Sequence, residues 1–249
     1  MSITVIQITD THIHDQQDKL FKKTRPDISL NKIIQHAIHN IKNINHVVLT
    51  GDLTHDGTEA ACTRLADLLS QFNCPVYVTP GNHDSTNNIQ QHLLNKQINM
   101  PENIETEHWQ LLFADSHIEN QPAGLIKNSQ LKKLSLQLQQ CKKPALLFTH
   151  HPPVKINSLW LDEIGMQNGK YILQQLSCFD QLQAIAFGHI HQSWQSQYQH
   201  IEILGTPSTC IQFRAGSESY STDDLSPGYR VFQLHDNGYL SSNVIRPNS

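Results

Sequence analysis

An α/β fold built on a largely parallel sheet is the class this sequence predicts, on three observations. Short apolar runs of strand length, rich in β-branched residues, recur along the first two thirds of the chain. Helix-period apolar patterns lie between them, so strand and helix alternate as in crossover-connected parallel sheets. The last third turns to strand runs joined by turns, which predicts a more antiparallel sheet closing the fold.

The elements follow in order. ITVIQITDTH is a buried strand ending in Asp10, Thr11 and His12. Ile33, Ile34, Ala37, Ile38 and Ile41 share one helical face, with the helix start expected near Ser29. HVVLTGD is a second strand, ending in Gly51 and Asp52. Asp56-Gly57 then leads into a helix marked by Ala61, Leu65, Leu68, Leu69 and Phe72. CPVYVTPGNHD is a strand that leaves through Pro80-Gly81 and sets Asn82, His83 and Asp84 side by side. A turn needs the proline and the glycine; it does not need the three residues after them. Leu131, Leu134 and Leu138 mark a third helix, and Ile172, Leu173 and Leu176 a fourth. PALLFTHHPP ends in His150 and His151, and AIAFGHIH ends in Gly188, His189 and His191. IEILGTP, STCIQFR, GYRVFQL and GYLSSNVI are the turn-joined strands. Residues 154–167 and 214–227 carry little periodicity and are expected as active-site loops, since long loops in compact domains often serve as lids. No linker or solenoid-length repeat divides the chain, so residues 1–249 are expected to form one domain.

Composition narrows the class of function. The formal net charge of -4 gives no global field to attract DNA or anionic membranes, so neither a nucleic-acid nor a membrane partner is expected. The N-terminus lacks the basic start of a signal peptide, and no apolar run has membrane-spanning length. The five cysteines are scattered without a C-x-x-C pair, which fits a reducing compartment and argues against structural zinc on thiolates. A cytoplasmic location is expected on these grounds. Sixteen histidines are the compositional anomaly, so position must separate functional rings from surface ones.

Position does separate them. In open α/β sheets ligands bind at the C-terminal ends of the strands, where every polar cluster named above falls. Pooled, the clusters supply Asp10, His12, Asp52, Asn82, His83, His150, His189 and His191. Carboxylates, imidazoles and a carboxamide oxygen, without thiolate, suit Mn, Fe, Zn, Co or Ni. The set is too large for one ion with open positions. It suits two ions bridged by an acidic group.

The ordered blocks are Asp10-Thr11-His12, Gly51-Asp52, Gly81-Asn82-His83-Asp84, His150-His151-Pro152 and Gly188-His189-Ile190-His191. This set resembles the calcineurin-like metallophosphoesterase superfamily, from Ile3 to about Val244. Ser158 to Asp162, Thr206 to Phe213 and Pro227 to Arg230 further resemble the class III cyclic-nucleotide phosphodiesterases of the bacterial cAMP type. The resemblance implies a four-layer α/β/β/α sandwich. It implies a first metal on Asp10, His12 and His191, a second on Asn82, His150 and His189, and Asp52 bridging both. The ions would be two of Fe, Mn, Zn or Co. His83 would be the catalytic histidine, with Asp84 accepting a hydrogen bond from its far ring nitrogen. His12, Asp52, Asn82, His83 and His191 form the substrate-binding set it implies. The reaction would be hydrolysis of 3′,5′-cyclic AMP to 5′-AMP, by hydroxide attack in line with the ribose 3′ oxygen. Relatives of this kind include dimers, so a homodimer is a further expectation.

Other residues fall outside the blocks. His14 is open to a substrate contact or a loop contact. Between His150 and His151 the H-x-P spacing selects His150, because adjacent strand residues face opposite ways. His36, His39, His46, His55, His92, His108, His117, His200 and His235 match no block and read as surface or packing residues. Trp160 and Phe213 can stack on a purine or pack the core. Two other functions compete: a broader phosphodiesterase acting on glycerophosphodiesters or 2′,3′-cyclic nucleotides, and a scaffold that kept the fold and lost catalysis. The scaffold predicts a missing ligand or a missing His83, and none is missing.

Overall fold

The computed structural model describes residues 2–247. In chain order its elements are β1 (Ser2–Ile8), α1 (Pro26–Asn40), β2 (Ile44–Thr50), α2 (Glu59–Leu69), β3 (Val76–Thr79), the one-turn α3 (Thr86–Asn88) running into a π-helical turn (Ile89–Leu93), β4 (Ile98–Asn99), β5 (Asn103–Glu105) and β6 (Gln110–Phe113). There follow α4 (Asn128–Gln140), β7 (Ala145–Phe148), α5 (Leu159–Glu163), α6 (Gly169–Leu176), β8 (Leu182–Phe187), β9 (Trp194–Tyr198), β10 (Ile201–Gly205), β11 (Gln212–Phe213), β12 (Thr222–Asp223), β13 (Tyr229–His235) and β14 (Leu240–Ile245).

Two six-stranded sheets form, not one. Their orders are β14-β13-β1-β2-β3-β4 and β5-β6-β7-β8-β10-β9. Strands β1 to β4 are parallel, as are β6, β7, β8 and β10. The expected antiparallel sheet of the last third does not exist as a unit. Its strands are divided: β10 joins the second sheet with β9 at its edge, β11 pairs with β12 in a small two-stranded sheet, and β13 and β14 pair antiparallel beside β1 in the first. Apolar side chains alternate to opposite faces of a strand, so each central strand serves two cores.

Three apolar layers follow. Val5, Val48, Phe113, Phe148 and Phe232 fill the space between the sheets. Ile33, Ile34, Ala37, Leu65 and Leu69 press α1 and α2 onto the outer face of the first sheet. Leu131, Leu134, Leu138, Ile172, Leu173 and Leu176 press α4 and α6 onto the outer face of the second. Three apolar layers between helices, sheet, sheet and helices make the four-layer α/β/β/α arrangement. Each large side chain buried this way contributes ~1.5–3 kcal/mol.

Local signals explain the starts of α1 and α2. Thr58 caps α2 by accepting from the Ala61 amide, while α1 starts three residues before Ser29, at Pro26. Pro26 suits a first helical position because its missing N–H is not needed there. Ser29 instead donates its hydroxyl to the Thr209 carbonyl. The two aperiodic segments are joined to each other. Gly216 donates its amide to Ser158 Oγ at 3.0 Å, and Trp160 Nε1 donates to Ser217 Oγ at 3.1 Å. Among the described residues no helix is long and apolar enough to cross a membrane.

Candidate metal centre

The parallel strands of both sheets finish along one shared edge, where backbone hydrogen bonds tie the strand exits together. Asp10 and His12 donate their amides to the Gly51 and Asp52 carbonyls at 3.1 and 3.0 Å, and Gly188 donates to the His150 carbonyl at 3.1 Å. Asp10, His12, Asp52, His189 and His191 all hold positive φ, between 45° and 66°. Such backbone costs ~1–2 kcal/mol per non-glycine residue. Its concentration here marks strain held at a functional site. Gly51 has φ +83°, and a Cβ there would sit 2.4 Å from His150 Nδ1, so only glycine fits this exit.

The seven predicted ligands come together as two groups of atoms. In one, His191 Nε2 lies 3.3 Å from Asp10 Oδ1 and 3.3 Å from His12 Nε2. In the other, Asn82 Oδ1 lies 3.3 Å from His150 Nε2 and 3.1 Å from His189 Nδ1. Asp52 stands between them: Oδ2 is 3.8 Å from His12 Nε2 and Oδ1 is 3.4 Å from His150 Nε2. Asp10, His12, Asp52, His150, His189 and His191 are all at most 5% exposed.

The donor chemistry fits cations. His150 donates from Nδ1 to the Thr50 carbonyl at 2.7 Å, and His191 donates from Nδ1 to the Ile211 carbonyl at 2.8 Å. With each Nδ1 committed to a carbonyl, Nε2 is the nitrogen aimed inward, the atom on which a cation could take the place of a proton. Asp10 is oriented likewise, accepting from the Thr9 hydroxyl and the His189 amide. Imidazole nitrogens and carboxylate oxygens therefore converge on small spaces that cations could occupy.

In the protein groups alone, a proton on His150 balances the Asp52 charge, and a cation would displace it. Burial would raise the Asp52 pKa, but the facing His150 outweighs it and holds Asp52 well below the usual carboxylate range. Burial would lower His150, yet Asp52 lifts it to about 9. Burial lowers His12, and burial with the charge of His150 lowers His189 to about 3.

His83 is exposed at the mouth of this centre. Its amide donates to Asp52 Oδ1 at 3.0 Å, and its Nδ1 donates to the His55 carbonyl at 3.0 Å, so Nε2 is the ring nitrogen not used in that bond. The expected bond between Asp84 and the His83 ring is absent. Asp84 is buried and accepts from the amides of Leu53, Thr54 and Gly81 and from the Thr54 hydroxyl, at 2.8–3.0 Å. Its oxygens are saturated by backbone, so it pins the Asp52 loop to the Asn82 loop and is a positioning residue. Burial, then the Asp52 charge, raises its pKa to about 6.

Other expectations are redrawn. His55 is no surface ring: it stacks on His83 with centroids 5.0 Å apart, and its Nδ1 lies 3.3 Å from His12 Nδ1. His151 is buried, with Nδ1 on Ser116 Oγ and Nε2 on the Pro122 carbonyl, and so has no free nitrogen for a metal. Phe213 spends one face on His191, 4.0 Å away, and packs its edges against Trp160 and Tyr220. The TPSTC segment is buried scaffold: Ser208 donates its hydroxyl to the Asp10 carbonyl, and Thr206 bonds Gln7. His14 lies beside Asp15 and Asp56, its two ring nitrogens without a hydrogen-bond partner among the described residues. Lys19 already sits 3.2 Å from Asp15 and 3.6 Å from Asp56.

A family model described as calcineurin-like phosphoesterase matches residues 3–193, which span all seven ligand positions and His83. The chain belongs to the calcineurin-like phosphoesterase family. As such it is a hydrolase of phosphoesters. Its sequence is 32% identical over 247 residues to the 3′,5′-cyclic adenosine monophosphate phosphodiesterase CpdA of Vibrio vulnificus, covering 98% of this chain and 90% of that one. It is 30% identical over 246 residues to the protein of the same name from Haemophilus influenzae, with the same coverage. A dimetal phosphatase from Danio rerio superposes with TM-score 0.62 at 14% identity, covering 99% of each chain, a likeness of fold alone.

Proposed function

We propose that this phosphoesterase holds two metal ions and hydrolyses the phosphodiester of 3′,5′-cyclic AMP to 5′-AMP. The observation that carries the proposal is Asp52, whose Oδ2 lies 3.8 Å from His12 Nε2 of one cluster and whose Oδ1 lies 3.4 Å from His150 Nε2 of the other. The cyclic-nucleotide reading is supported by relatives of that name matched over nearly the full chain.

Asp10, His12 and His191 would hold one ion, Asn82, His150 and His189 the other, and Asp52 both. Two such ions supply charge stabilisation at the phosphoryl oxygens and a nucleophile at neutral pH. The protein's own residues do the rest. The Nδ1 bond to the His55 carbonyl fixes the His83 ring, so its Nε2 faces a phosphoryl group placed over Asn82 and Asp52. A proton on Nε2 then passes to the departing ribose 3′ oxygen, a step that contributes typically ~10²–10⁴-fold. The Asp84 clamp keeps Asp52, Asn82 and His83 in register, and ordered placement of reacting groups is itself a large part of catalysis.

The test is hydrolysis after loading with Mn²⁺, comparing 3′,5′-cAMP with 2′,3′-cAMP, glycerophosphocholine and bis(4-nitrophenyl) phosphate. EDTA-sensitive release of 5′-AMP, with poor use of the others, is the expected result. Turnover of the aryl diester without 3′,5′-cAMP would keep the metal centre and overturn the substrate.

A further inference from the structure

The metal centre is closed on one side and open on the other. His12 and His191 are each 2% exposed, and Asp10 is fully buried. Phe21 lies against the His12 ring, and Phe213 covers the face of His191. Asn82 and His83 are the site residues that reach solvent. A phosphate on the centre must therefore enter over Asn82 and His83, and the rest of the molecule must continue into whatever space adjoins them.

That space is a cleft of about 770 Å³ lined by Asn82 and His83 at its floor and by the 85–87 and 117–120 loops as walls. Its volume lies inside the ~300–1,000 Å³ typical of small-molecule sites. Asp115 leaves β6 beside His150 of β7, since Phe113 is in register with Phe148 on parallel strands. One Asp115 oxygen accepts the His117 amide at 2.8 Å, and the other has no hydrogen-bond partner among the described residues. Glu119 makes no hydrogen bond or ion pair among the described residues, and Lys127 stands on the same rim.

We propose that the substrate's base occupies this cleft, where Asp115 and Glu119 accept its exocyclic amine, so that a 6-aminopurine is preferred to a 6-oxopurine. The proposal rests on the cyclic-nucleotide reading above. Its chemistry is simple. Adenine carries an amine donor at N6, where guanine carries the O6 acceptor. An ionised carboxylate only accepts. Guanine thus sets its O6 against ionised carboxylate oxygens, a repulsion that the amine of adenine does not meet. A site built to receive a donor rejects the analogue that lacks it. Lys127 offsets the repulsion that two carboxylates would exert on the anionic substrate. The aromatic group of Trp160 and Phe213 is the rival location. There Phe213 has given one face to His191 and its edges to Trp160 and Tyr220.

The experiment measures kcat/KM for 3′,5′-cAMP and 3′,5′-cGMP on the Mn²⁺-loaded protein, with bis(4-nitrophenyl) phosphate alongside. Wild type is expected to prefer cAMP by ~10-fold or more. Asp115→Asn with Glu119→Gln places carboxamides that can serve either base, and the ratio is expected to fall toward one. Glu119→Gln alone, at an exposed position, carries the test if the double variant does not fold, with a partial fall expected. Equal use of the two nucleotides by wild type overturns the subsite and leaves the proposed function standing. So does a preference that survives the cleft variants, or one that moves with Trp160→Leu. Hydrolysis of the aryl diester but neither nucleotide overturns the function and the subsite together.

Discussion

Gly81→Ala adds one methyl group at the point where the site is most crowded. A Cβ on Gly81 would lie 2.2 Å from the Asp52 amide nitrogen, 2.3 Å from Asp52 Oδ1 and 2.9 Å from His150 Nε2. The first contact is backbone, so no rotamer change relieves it. Ordinary contact begins at 3.4 Å, so the two chain segments must separate by about 1.2 Å, the difference of those two distances. Overpacking of this kind costs ~1–3 kcal/mol. In a chain of this size that lowers Tm by roughly 2–12 °C, at ~2–4 °C per kcal/mol. The functional loss should be far larger, because metal ligation tolerates displacements of only ~0.2 Å and a 1 Å misplacement can cost ~100-fold in rate. Gly169→Ala is the matched control: its Cβ would lie 2.4 Å from the Pro153 carbonyl oxygen, away from the ligand atoms. Calorimetry, metal analysis and turnover of both variants decide the matter. Similar falls in Tm are expected, with metal and activity lost only in Gly81→Ala. Full metal content and near-normal turnover in Gly81→Ala would refute the reasoning, as would equal metal loss in both.

Further outcomes follow from the same geometry. His83→Ala should cut turnover by ~10²–10⁴-fold with metal content nearly intact, because His83 is proposed as the proton donor and not as a ligand; wholesale metal loss would make His83 a ligand. Asp52→Asn should lower both metal content and turnover, since one oxygen of the pair becomes a donor facing His12 or His150. The chelated protein should be most stable near neutral pH. His12, His151 and His189 have pKa values lowered by burial, so the unfolded chain binds more protons below ~6.5 and each adds up to ~1.4 kcal/mol of destabilisation per pH unit as pH falls. His150 works the other way: its contribution is complete below ~6.5 and is lost as pH rises through about 9. Metal loading near pH 7 should release at least one proton, from His150, readable as a buffer-dependent binding enthalpy.

Much of the site was legible because its chemistry is local in sequence. Each predicted ligand follows a strand within a few residues, and D-x-H or H-x-H after an apolar run is visible without any structure. What escaped depends on partners distant in sequence. The division of strands between two sheets is set by pairing, such as Val5 with Phe232, which periodicity cannot show. Asp84 was paired with the neighbouring ring because backbone amides leave no trace in sequence; three of them claim it. His55 is placed by its carbonyl and by ring stacking on His83, neither of which has a motif. Asp115 follows the strand QLLF as the predicted ligands follow theirs, and this strand-end position was the signal available for finding it. Thr206 to Cys210 lies in a segment that resembles the cAMP-type enzymes, and its small polar residues serve as a buried brace behind Asp10.

The central claim is that two ions share Asp52, and anomalous diffraction from crystals grown with Mn²⁺ tests it most directly. Two peaks are predicted, one among Asp10, His12 and His191 and one among Asn82, His150 and His189, each within bonding reach of a different Asp52 oxygen. A single peak, or density at His14, Asp15 and Asp56 in place of either, would contradict the account.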